Sequence, residues 1–188
     1  MTSQGKVPAA ATLGLLAAWA LHDLEELATM PGWTSRARPR LHARLPWVPE
    51  RVWARMDVSP AHARAAIALM GVAVAAASVA GARTNGRSGF YQRSLVAFGW
   101  HSVGHVAMSL ATRGYTPGVV TAPLVVAPFS LWAWRALAAA GVPRDAGGRV
   151  WQGFGVLALA LGGTHGAASL LTAMAARATR APSGERAR

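Results

Sequence analysis

Three of the chain's seven acidic residues fall in one pentapeptide, HDLEE at positions 22–26, at the end of an otherwise apolar run. In a helix, positions i, i+3 and i+4 share a face, so His22, Glu25 and Glu26 project together while Asp23 turns about 100° away. Such a face can chelate a cation. Asp23 is left to orient its neighbours or to meet solvent. A second pair, His101 and His105 in GWHSVGHVA, has the i, i+4 spacing that sets two imidazoles on one metal ion. His165 in LGGTHGAAS adds a further candidate position. His42 and His62 lie in a polar segment and beside a helix start, where they read as ordinary polar residues.

These groups must be carried by helices of a particular kind. The chain has 188 residues, 53% hydrophobic and only 14% charged, with long Ala, Val, Leu and Gly tracts. That pattern predicts an all-α integral membrane bundle of about five transmembrane helices, forming a single domain over residues 1–176. The expected spans are about 7–30, 63–82, 91–112, 119–140 and 151–176, followed by a basic, disordered tail over 177–188. Lys6, the short apolar stretch and Ala18-Trp19-Ala20 resemble a signal peptide. Four later spans make a removable signal unnecessary, so the segment is expected to stay.

Depth then links the histidines. The first, third and fifth spans run in one direction, and His22, His105 and His165 each lie 14 or 15 residues from their starts. At 1.5 Å per residue this puts all three about 21 to 23 Å into the bundle, with His101 about 6 Å shallower and the two glutamates one turn deeper. Ionisable side chains inside a span cost a few kcal/mol, so they are expected to meet partners. Gly99, Gly104, Gly162, Gly163 and Gly166 are expected to let the helices approach closely around them. In the fourth span Pro123 and Pro128 predict a kink.

The segment 31–62 is expected to be a polar loop at headgroup level, rich in Pro, Arg and Trp. Within it PERVWARM could form a short surface helix with Val52, Trp53 and Met56 towards lipid. The net charge of +12 is concentrated in loops and tail, with eighteen arginines among the nineteen basic residues. No basic face is interleaved with aromatics, which argues against nucleic acid as a partner. The positive-inside rule predicts a multi-pass protein of the cell inner membrane, with the first loop and the C-terminus cytoplasmic. The absence of cysteine excludes disulfides and thiolate metal sites,. Nothing in the sequence sets an oligomeric state.

With HDLEE at the end of a first span, and an HxxxH pair and another histidine downstream, the chain resembles the HXXEE family of small bacterial integral membrane proteins. The resemblance runs from about Leu13 to His165. It implies a membrane location and a role for His22, Glu25 and Glu26 as ligands or active-site residues, and supplies no activity.

Three functions follow. The first is a metal-dependent membrane enzyme of hydrolase or oxidase type, with His22, Glu25, Glu26, His101, His105 and His165 as metal ligands and Glu25 or Glu26 as catalytic base. It would take one or two divalent ions, zinc, iron or manganese, and act on a lipid-soluble substrate among membrane lipids. Two glutamates neutralise one divalent ion, whereas two ions would need further anions. The second is a metal-ion or proton-coupled transporter, and the third a structural or accessory membrane protein held together by the polar groups.

Overall fold

The computed structural model describes residues 5–144 and 150–180. Among them there are no strands; the chain forms α1 (Ala9–Thr29), α2 (Trp33–Arg44), α3 (Glu50–Met56), α4 (Pro60–Arg83), α5 (Gly89–Thr112), a π-helical turn (Ala122–Val126) continuing into α6 (Ala127–Ala139), and α7 (Val150–Arg180). Each expected apolar segment is helical over most of its length. Three of these helical stretches, Pro60–Arg83, Ala122–Ala139 and Gly155–Thr179, are long and apolar enough to cross a membrane. The helix α7 continues through Arg180, so the first residues expected in the tail are helical; 181–188 lie outside the described residues.

Local chemistry sets the helix limits. Ser59 and Ser88 cap α4 and α5, their hydroxyls accepting from the His62 and Tyr91 amides,. Pro60 follows at the first position of α4, where a missing N–H costs nothing,. At the other end of α5, Arg113 takes the left-handed conformation and its amide and that of Gly114 close the last turn,. Where a kink is expected in the fourth span the chain forms the π-helical turn, with Pro123 near its start and Pro128 opening α6,.

The core runs between α1, α5 and α6. Ala11, Leu15 and Ala18 meet Tyr91, Leu95 and Phe98 from α5 and Val126, Ala133 and Leu137 from the α6 unit. Tyr91 is fully buried, and its hydroxyl donates to the Ala11 carbonyl. Close helix approach occurs mostly at glycines other than those expected. A Cβ on Gly71 would lie 2.8 Å from the Trp19 ring, and one on Gly81 2.5 Å from the Tyr91 ring. Gly99 faces Ser130 at 3.4 Å, but a Cβ on Gly104, Gly162, Gly163 or Gly166 would meet nothing within 4 Å. Those four positions leave space instead of closing it.

The segment 31–62 also differs from expectation. It holds α2, which its prolines and arginines disguise, and Pro39 is accommodated within that helix. Trp33, Ala37 and Leu41 recur every fourth residue and form a second small core with Trp53 of α3,. Trp53 is therefore only 2% exposed and does not face lipid, whereas Val52 and Met56 are exposed.

Candidate metal centre

Two helices bring four of the six candidate ligands together. His22 and Glu26 lie one turn apart on α1, and His101 and His105 one turn apart on α5. One ligand atom from each of the four lies within 4.8 Å of the others, and such a group could hold a metal ion. The His22 ring centroid is 5.1 Å from that of His101 and 4.8 Å from that of His105. His22 is fully buried. Glu26 Oε1 is 3.4 Å from His105 Nε2, with both side chains about seven-eighths buried.

Hydrogen bonds from outside the group fix which nitrogens face inward. Thr121 Oγ1 donates its single proton to Glu25 Oε2, at 2.6 Å, because an ionised carboxylate only accepts,. His22 Nδ1, 2.8 Å from the same hydroxyl, must then be the donor. Its Nε2 lone pair is left inward, and that atom is buried with no hydrogen-bond partner. His105 Nδ1 donates to the Pro117 carbonyl at 2.7 Å, so its Nε2 lone pair also points into the group, 2.8 Å from His101 Nε2. With Glu26 ionised, two imidazole lone pairs and a carboxylate thus converge with one proton, on His101 Nε2, to satisfy them. A cation resolves that imbalance, and the Thr121 and Pro117 contacts are the kind that orient metal-bound histidines.

The other candidates go elsewhere. Glu25 turns to the segment 115–121 and accepts from the Tyr115 hydroxyl, the Val120 amide, and the amide and hydroxyl of Thr121. Its carboxylate is fully engaged in capping the start of the π-helical turn, where the first amides lack helical partners. Partial burial, together with the adjacent Glu25, raises the Tyr115 phenol above its ordinary range, which keeps it a donor. His165 pairs outside the group. Its Nδ1 lies 2.8 Å from His62 Nε2, and the two rings stack with centroids 5.1 Å apart. His62, read from sequence as an ordinary polar residue, is therefore its partner. Asp23 is buried, not solvated, in the wall of a cavity of about 140 Å³ shared by α1, α4, α5 and α7.

The turn 115–121, YTPGVVT, supplies most of the surrounding shell. Gly118 has φ +81°, and a Cβ there would lie 2.6 Å from His105 Cε1 and 2.8 Å from His22 Cε1. Only glycine lets this backbone pass so close to both rings. The turn is held from outside by Trp33 Nε1 and Arg40, both donating to the Tyr115 carbonyl. Its two threonines, at the same end of the bundle as the histidines, are the one signal of this role that the sequence carries.

Fold and site define an all-helical protein in which three histidines and one glutamate from two helices converge beneath a glycine-containing turn. The chain belongs to the family described as protein of unknown function with HXXEE motif, whose model matches residues 13–133. That match contains all four converging residues and the 115–121 turn, and it ends before His165, the far limit of the sequence resemblance. No curated protein and no solved structure matches the chain.

Proposed function

We propose that this protein is a metal-dependent integral membrane enzyme, of hydrolase or oxidase type, with one divalent ion held by His22, Glu26, His101 and His105. The observation that carries the reading is the buried, unpartnered His22 Nε2 facing a second inward lone pair and a carboxylate. Three imidazoles and a carboxylate suit zinc, iron or manganese. One glutamate against a divalent ion leaves one positive charge, which favours an anionic ligand. The ion would supply Lewis-acid activation of a carbonyl or phosphoryl oxygen, or of water. A cavity of about 790 Å³, walled by Glu26, His101 and His105 on one side, gives a substrate access to it.

A membrane setting is supported by the distribution of polarity. The outer faces of α1 and α7 expose Leu13, Leu21, Leu24, Leu159 and Leu170, while the ionisable groups of α1 turn inward,. We read α1, α4, α5, the α6 unit and α7 as five spans of the inner membrane, with the first loop and C-terminus cytoplasmic.

A second reading, transport, draws on the smaller cavity, which shares Glu26, His101 and His165 with the larger one and so reaches the group from another side. Metal analysis of detergent-purified protein tests both. Stoichiometric metal in the wild type, lost in Glu26→Gln and His105→Ala, is the expected result, and its absence in the wild type overturns the metal site. Metal flux in proteoliposomes would shift the assignment from enzyme to carrier.

A further inference from the structure

The large cavity has a composition that points to its occupant. Most of its wall is apolar, including Met30, Met108, Leu157 and Leu161. Of its polar side chains, Thr34, Thr116 and Ser169 already donate to backbone carbonyls. The groups left for a ligand are the His/Glu group, the His62–His165 pair and Arg55. Arg55 belongs to α3, which also brings Met56 to the cavity, and it makes no ion pair among the described residues. The wall also contains Gly104 and Gly166, where a Cβ would touch nothing. Helix packing does not demand those glycines; they keep the volume open. At about 790 Å³ it falls in the range of small-molecule sites, roughly 300–1,000 Å³,.

We infer that this cavity binds a single-chain amphiphile with an anionic head, its head at Arg55 and its chain running past the His/Glu group along Gly104, Gly166, Leu161 and Leu157. The inference rests on the proposed enzyme reading for the identity of this ligand as substrate, but the binding itself is measurable without turnover or metal. The segment of chain just inside the head is the part that lies beside the histidines. The positive charge of Arg55 at an apolar opening selects anionic over neutral amphiphiles of equal length.

The test is equilibrium binding of tritiated palmitate to the detergent-purified full chain, with metal content measured on the same samples. Saturable binding is expected, and hexadecanol should compete about tenfold less well than unlabelled palmitate, the scale of one charge-assisted hydrogen bond. Arg55→Gln should weaken palmitate binding by a similar factor and leave hexadecanol unchanged. Gly166→Leu should abolish binding by filling the cavity. Gly162→Leu, an equally open position on the same helix that does not line the cavity, should bind like the wild type. Competition by palmitoyl-lysophosphatidic acid against palmitate assigns the head as phosphate or carboxylate, and a preference for either supports the inference. Equal competition by hexadecanol, or unchanged palmitate affinity in Arg55→Gln or Gly166→Leu, overturns it. Palmitate binding with these properties in protein that holds no metal would retain this inference and overturn the metal site.

Discussion

Gly118→Ala places one methyl group between the two histidines whose tautomers the surrounding shell fixes. Two costs separate cleanly. The first is backbone strain, about 1–2 kcal/mol for an L-residue held in the left-handed region at φ +81°,. The second is steric: the new Cβ would sit 2.6 and 2.7 Å from two atoms of the His105 ring and 2.8 Å from His22 Cε1, distances that carbon does not tolerate. Both rings must retreat, and they supply two of the four donors. Disturbing the shell around metal-bound histidines typically costs 10- to 100-fold in affinity, or about 1.4 to 2.8 kcal/mol. Gly141→Ala is the matched control, with φ +69° and nothing within 4 Å of the added carbon. Zinc or cobalt affinity, measured by competition with a chromophoric chelator, should fall at least tenfold in Gly118→Ala and stay at the wild-type value in Gly141→Ala. Both variants should lose comparable thermal stability from the backbone term. Equal metal affinity in the two variants would refute the argument that the turn presses on an ion-binding pair.

The two adjacent glutamates should separate by phenotype: Glu26→Gln loses bound metal with little change in apo thermal midpoint, while Glu25→Gln keeps metal and unfolds at lower temperature. Loss of both properties in both variants would contradict the division. Thr121→Val removes the hydroxyl between Glu25 and His22, freeing the imidazole tautomer, and should weaken metal binding 10- to 100-fold in the same chelator competition,. His165→Ala should retain stoichiometric metal by elemental analysis, because its partner is His62 and not the four-residue group. Trp53→Ala should cost about 3–5 kcal/mol of local stability, seen as faster proteolysis of α2 and α3,.

Residue pairs within one helix are legible in the sequence. The i, i+4 pairs His22–Glu26 and His101–His105 need only helical geometry, and both occur in the fold. Glu25 is harder to place, since it lies three residues from His22 and shares much of its face. Helical geometry lets all three share a face, so it cannot say which glutamate joins His22. What captures Glu25 is the start of the α6 unit, nearly a hundred residues later. The helix α2 is hidden because its Arg and Pro content outweighs a three-residue apolar stripe that has meaning only opposite Trp53. The turn 115–121 offers two threonines and a glycine, and nothing local marks a glycine as pressed against imidazoles.

Sequence alone determined the all-helical class, the order of the apolar helices and the spacing of the histidines along each helix. These are local quantities: a fixed rise per residue converts counting into distance along an axis. Only the tertiary structure decided direction around each axis. His165 shows the difference, since counting from its helix start matches it with His22 and His105 while its ring stacks on His62. Azimuth is set by which faces pack together. Here the contacts at Gly71, Gly81 and Gly118 bring α4 against α1 and α5 and the turn against the histidines, and so orient α1 and α5 towards each other. No periodicity within a single helix encodes the face that its neighbours will occupy.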